Sequence, residues 1–211
     1  MTSTDARLDL DIRRIAGALG AEVRGIDLSQ PLDAAARTTI EALLLEHLVL
    51  FFPDQHPTPD EHIAFGRLFG KLEGHPNLAM DKERPEFFEL RAESGAGAVA
   101  DEWHSDLTCA AEPSVYAILH MRKCPPVGGD TLWANMYKAY DELSQPLKDL
   151  CEGLSALHDA SPHYTPERKA IHPVVRVHPV TGRKSLFVNE HFTRRIVELS
   201  HEESEVLLAY L

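Results

Sequence analysis

Apolar positions along this chain fall into short runs with two different periods. Residues 10–28 alternate loosely between apolar and polar, punctuated by Gly17, Gly20 and Gly25, which predicts short strands joined by turns. Asp33 is placed to cap a helix of about a dozen residues, whose Ile40, Leu43, Leu44 and Leu48 share one face. The continuous run LVLFF at 48–52, stopped by Pro53, predicts a fully buried strand. Thr58-Pro59-Asp60-Glu61 is a capping box with proline at the first helical position. It opens a helix carrying Ile63, Phe65, Leu68 and Phe69 that ends at Gly70.

Further on, 87–91 and 114–122 (SVYAILHMR) read as strands, and Pro125 to Asp130 as a turn. Residues 147–157 have a helical period. Runs 174–177 and 185–188 flank Pro179-Val180-Thr181-Gly182 as the arms of a hairpin. A second capping box, Ser200-His201-Glu202-Glu203, opens an apolar run through Val206, Leu207, Leu208, Tyr210 and Leu211. That run has no C-cap glycine, basic last turn or polar tail after it, so the domain is expected to be incomplete at its C-terminus.

The length of 211 residues suits one substantial core. A formal net charge of −12 argues against a general nucleic-acid binder, although a local cluster of Arg and His can still hold a small anion. The first residues, MTSTDARLDLDIRR, are charged throughout and lack the apolar stretch of a secretory signal, and no run approaches a membrane span. A cytoplasmic location is the expectation. Cys109, Cys124 and Cys151 are odd in number and form no C-x-x-C pair, so reduced thiols are expected rather than a disulfide framework or a Cys-rich zinc site.

The chemistry concentrates at Trp103-His104-Ser105-Asp106. In an extended segment the side chains at i and i+2 point to one side, so His104 and Asp106 can offer an imidazole nitrogen and a carboxylate oxygen to one metal ion. Two His and one carboxylate on one face of a metal form the facial triad of non-haem iron(II) oxygenases, which leaves positions open for a co-substrate and dioxygen. H-x-D alone is weak, because such triplets also arise as hydrogen-bonded pairs. Its context strengthens it: a flexible Ser94–Ala98 loop leads in, and a Pro-Gly-Gly turn follows about twenty residues later.

Several ordered stretches then carry a resemblance. They are LGAEVRGIDLSQPL, HLVLFFPDQ, FGRLFGKLEGHP, WHSDLT, GGDTLWANMYKAYDEL and HPVVRVHPVTGRKSLFVNEHFTRRI. Together they resemble the taurine/2-oxoglutarate dioxygenase family, which includes alkylsulfate and phenoxyalkanoate dioxygenases. The resemblance implies an α+β, mostly β fold: a double-stranded β-helix (jelly-roll) core with flanking helices, here expected to lack its last strands. Residues 1–211 would form a single, incomplete dioxygenase domain. An open sheet edge of that kind predicts self-association into a homo-oligomer.

The implied activity is an Fe(II)- and 2-oxoglutarate-dependent hydroxylation, by dioxygen, of a small organic acid such as a sulfonate or sulfate ester. 2-Oxoglutarate would go to succinate and CO2. The resemblance gives His104 and Asp106 to Fe(II), Thr131 to the 2-oxoglutarate carboxylate, His75 to the anionic head of the substrate, and Phe192 to an apolar pocket wall. It places a second metal His and a 2-oxoglutarate-binding Arg in a segment C-terminal to these residues. Leu78 and Ala100 stand where the sulfonate-using pattern carries a Tyr and an Asn, which points away from taurine towards a longer or more apolar substrate.

Each assignment has a plainer counterpart. His104 and Asp106 could be a buried His–carboxylate pair, Thr131 a turn threonine, His75 a loop histidine and Phe192 a core residue. His158, His163, His172, His178 and His191 are poor stand-ins for a missing ligand; loop and hairpin positions beside prolines account for His163, His172 and His178. A reading from another class is a non-catalytic jelly-roll module, or an inactive fragment, that binds a small anion.

Overall fold

Gly25 sits where the first strand pair closes, with a φ of +87°, and a Cβ there would lie 2.3 Å from the Asp9 carbonyl oxygen. Only glycine fits such a position. A computed structural model describes residues 9–74, 83–91, 101–161 and 168–211, and the chain divides into two compact units, 1–88 and 89–211. In the first unit, β1 (Asp11–Arg14) pairs antiparallel with β2 (Ala21–Arg24), Asp11 opposite Arg24. The predicted helix follows as α1 (Ala34–His47), its Asp33 carboxylate accepting the Ala36 N–H at 2.8 Å.

The 48–52 run departs from expectation. Leu48 ends α1 with a φ of +68° and returns its N–H to the Leu44 carbonyl, so only Leu50–Phe51 remains to pair, as β3, parallel to β2. Phe51 is 38% exposed rather than buried. The helix end used residues that an apolar count assigns to the strand. Next, α2 (Pro59–Arg67) starts at the Thr58/Glu61 capping box as expected. Leu28, Ile40 and Phe65 form the core between these elements, with Ile26, Leu44, Leu50 and Phe52 packed around them.

The second unit begins without regular structure. Residues 87–91 and 114–122 form no strand among the described residues; Val115 and Leu119 are exposed. Strand propensity is realised only where a ladder partner exists, and these segments have none among the described strands. Then come α3 (Met136–Asp141) and α4 (Gln145–Cys151). The predicted 147–157 helix stops at Cys151, and β4 (Ser155–Asp159) replaces its second half. Gly153 breaks the helix, and the Glu198 carboxylate takes the Ser155 N–H at 2.9 Å.

β4 is the central strand of a sheet ordered β5-β4-β8, with antiparallel neighbours β5 (Lys169–Pro173) and β8 (Thr193–Ile196). The hairpin is present as β6 (Val175–Val177) and β7 (Lys184–Leu186), with Gly182 at positive φ in the turn. Helix α5 (His201–Tyr210) opens at the Ser200/Glu203 capping box. Tyr140, Cys151, Leu154, Ala156, Val174, Leu186, Ile196 and Leu207 make the core. The cysteines are free thiols, Cys109 and Cys151 buried and Cys124 exposed. Among the described residues no helix is long and apolar enough to cross a membrane. Three small sheets and five helices make the described chain a mixed α+β structure.

Two polar residues inside this core have identifiable roles. Ser204 is buried, and its hydroxyl accepts the Ile196 N–H at 2.8 Å, satisfying a strand donor that meets no neighbouring strand. His158 follows a bulge in β4 and is fully buried, its ring edge-on to His172 at 5.3 Å and tilted against Phe187 at 5.6 Å. Burial pushes its pKa down to about 4, and the neighbouring His172 acts in the same direction. His172, expected in a loop, is instead a buried β5 residue whose Nε2–H donates to the Ala110 carbonyl at 3.0 Å.

Replacing Ser204 with Ala leaves the Ile196 N–H unpaired and should cost about 1–3 kcal/mol in urea unfolding. A pH effect follows from His158. Its folded pKa, about 4, lies below the ordinary value of 6.5, so the unfolded chain binds the proton more tightly. Its contribution is complete above pH 6.5 and is lost as pH falls towards 4, a loss on the order of 3 kcal/mol. Unfolding free energies measured between pH 7 and 4 should fall less steeply in His158→Gln.

Candidate metal centre

Residues 101–110 form no helix or strand, so their shape is set by side-chain and carbonyl contacts rather than by a ladder. The His104 ring Nδ1–H donates to the Glu102 carbonyl at 2.8 Å. That bond fixes the Nδ1–H tautomer and leaves Nε2 free of the carbonyl, turned towards Asp106. His104 Nε2 lies 3.4 Å from Asp106 Oδ1, so the i, i+2 spacing does bring the two donors to one side. The Asp106 carboxylate is the main influence raising the His104 pKa, with burial opposing it and the Glu102 carbonyl assisting.

A metal ion between these atoms would take the place of the proton that a charged His104 carries there, and the donor chemistry suits it: one neutral imidazole nitrogen and one carboxylate oxygen, with the imidazole's far side already held by a carbonyl. With an ion bound, the pair would fill two positions of a facial triad. Among the described residues no group of three His, Cys, Asp or Glu side chains is placed to hold a metal ion.

The surroundings of the pair were only partly legible. The His191 ring lies 5.8 Å from that of His104 and donates Nδ1–H to the Glu102 carboxylate at 2.9 Å. In the sequence His191 reads only as a poor stand-in for a missing ligand, and Glu102 carries no assigned role. The Trp103 carbonyl accepts the N–H groups of Glu190 at 3.1 Å and His191 at 3.3 Å. Thr108, also unforeseen, is buried and meets Asn189 and His158. A signal existed for Glu102, two residues before His104, but not for Thr108, which lies beyond Leu107, whose φ of +50° breaks the alternation. No comparable signal marks Asn189, whose partner is 81 residues away.

Thr131 follows Gly128 and Gly129, both at positive φ, and is exposed, with no hydrogen bond to His104 or Asp106 among the described residues. Phe192 is 2% exposed, packed with Cys109 and Ala160, its ring edge-on to His191 at 4.5 Å. It is a core residue one side chain away from the metal pair. His75, Leu78, Ala100 and His163 lie outside the described residues. Of the other histidines, His178 is the turn residue expected, its Nδ1 accepting the Val180 and Thr181 N–H groups.

The chain is 35% identical to an alpha-ketoglutarate-dependent sulfate ester dioxygenase of Pseudomonas putida, over 97% of this chain and 74% of that protein. The crystal structure of a taurine dioxygenase from Burkholderia xenovorans superposes with a TM-score of 0.79 at 34% identity, covering 95% of this chain and 70% of that one. The structure of AAD-2 in complex with Mn(II) and N-oxalylglycine does so with a TM-score of 0.76 at 28% identity, over 95% and 77%. The sequence model of one family matches residues 11–211, across both compact units, and by that match the chain belongs to the family described as taurine catabolism dioxygenase TauD, TfdA.

Proposed function

We propose that this chain is the Fe(II)- and 2-oxoglutarate-binding part of a dioxygenase that hydroxylates a small organic acid, a sulfate ester or a sulfonate. The observation that carries the reading is the His104–Asp106 pair, with Nε2 turned towards the carboxylate at 3.4 Å and Nδ1 spent on a carbonyl. Bound iron supplies the oxidising chemistry: one oxygen atom of O2 enters a substrate C–H bond, the other enters the succinate formed from 2-oxoglutarate as CO2 leaves.

The protein's own share is orientation. His104 and Asp106 hold the ion from one side and leave the other side for co-substrate and dioxygen. Thr131 offers a hydroxyl to a 2-oxoglutarate carboxylate, His75 offers a donor to the anionic head of the substrate, and Phe192 stiffens an apolar wall. A sulfate ester is favoured because the Pseudomonas putida relative is named for acting on one. Leu78 and Ala100 also remove two polar groups that a small zwitterion such as taurine would use. The small sheets of the second unit are read as segments of a double-stranded β-helix, and residues 1–211 as one catalytic domain, since the family match crosses the boundary between the units. A cytoplasmic, homo-oligomeric enzyme is part of the same reading.

The test is to follow succinate formation from 2-oxoglutarate with a medium-chain alkyl sulfate and with taurine. Faster turnover with the alkyl sulfate supports the reading, and anion binding without succinate would point to a non-catalytic module. His104→Ala and Asp106→Ala should each weaken Mn(II) binding, read by electron paramagnetic resonance, by more than the ~10–100-fold typical of losing a group that only orients a ligand. Thr131→Val should raise the KM for 2-oxoglutarate by ~10–100-fold, the equivalent of one hydrogen bond to a charged group, with little change in Mn(II) affinity.

A further inference from the structure

Asn189 organises the ground beneath the metal pair. Its Oδ1 accepts the Phe192 N–H at 2.8 Å, which fixes the orientation of the amide and turns Nδ2 towards Thr108, 3.1 Å from its hydroxyl oxygen. Its backbone N–H donates to the Thr193 hydroxyl at 2.9 Å. Two threonine oxygens thus each accept one N–H from Asn189, and each hydroxyl proton still needs an acceptor. Both oxygens converge on His158 Nδ1, Thr108 at 2.9 Å and Thr193 at 3.3 Å. Neutral His158 can accept there, because burial keeps it unprotonated at ordinary pH.

This arrangement bears on the metal pair through chain geometry. Thr108 is two residues after Asp106, and the residue between them, Leu107, has a φ of +50°, a conformation that a leucine adopts only under constraint. Thr108 is 1% exposed, so the C-terminal side of that turn is fixed inside the unit. On the N-terminal side the Trp103 carbonyl takes two N–H groups from the same 189–193 turn. His104 and Asp106 therefore span two anchors that both end on one turn.

Resting on the proposed metal site, we infer that Thr108, held between Asn189 and His158, is a positioning residue. It sets the strained Leu107 turn and with it the direction in which Asp106 presents its carboxylate beside His104. The hydroxyl, rather than the volume, carries this role.

The test compares Thr108→Val, which keeps the shape and removes the hydroxyl, with Thr108→Ser, which restores it. Ile196→Val in β8 serves as a core control, and all are studied as the full chain. Amide hydrogen exchange of residues 103–107 reads the turn directly, and Mn(II) titration reads the site. The expected result is faster exchange across 103–107 and about tenfold weaker Mn(II) binding in the valine variant, both restored by serine. Ile196→Val should lose thermal stability without either local effect. If Thr108→Val behaves like Ile196→Val in exchange, the inference is overturned. If exchange rises as expected but no protein, wild type included, takes up Mn(II), the positioning role stands and the metal reading fails.

Discussion

The Trp103 carbonyl and the Thr108 hydroxyl tie an irregular ten-residue stretch to the 189–193 turn, and the rest of the site depends on that tie. A segment outside any ladder has no inherent shape, so its backbone and side-chain polar groups must find partners one by one. Here they find them on the far side of the unit: Trp103 on Glu190 and His191, Glu102 on His191, Thr108 on Asn189 and His158, Ala110 on His172. The β5-β4-β8 sheet supplies the fixed ground, because β4 is its centre and carries His158, while β8 starts at Thr193.

The sheet's share is narrower: His158 and Thr193 lie on its strands, whereas His104, Asp106, Thr108 and Asn189 all lie on irregular backbone. As holders of the proposed ion, His104 and Asp106 would need a side open to ligands, and a loop leaves it open. The groups beneath them need to be immobile, and burial in a sheet provides that. An uncharged His158 fits the same logic. A protonated imidazole at that depth would carry an unpaired charge and would lose the acceptor on which two hydroxyls converge.

Local signals in the sequence survived where the physics is local. Both capping boxes, the Asp33 cap and the Gly182 hairpin lie within a few residues of what they determine, and each is present. The 147–157 helix and the strands at 87–91 and 114–122 failed because their outcome is set by distant partners. Ser155 becomes a strand start because Glu198 and the flanking strands claim it, and a strand pattern that meets none of the described strands forms no ladder. That His104 and Asp106 meet was legible for a geometric reason, since they stand at i and i+2. The surroundings were less legible: Glu102 continues the same spacing, whereas Thr108 lies beyond the Leu107 turn and Asn189 is linked to it only by the fold.

The proposed site, His104 with Asp106, is an iron site open to 2-oxoglutarate. Its most direct measurement is the visible absorption of the folded chain when Fe(II) and 2-oxoglutarate are added together without dioxygen. A weak charge-transfer band that needs both components, saturates near one iron per chain and is absent from Asp106→Ala is the result predicted. A folded chain that gives no such band, or one that gives the same band without Asp106, would contradict it.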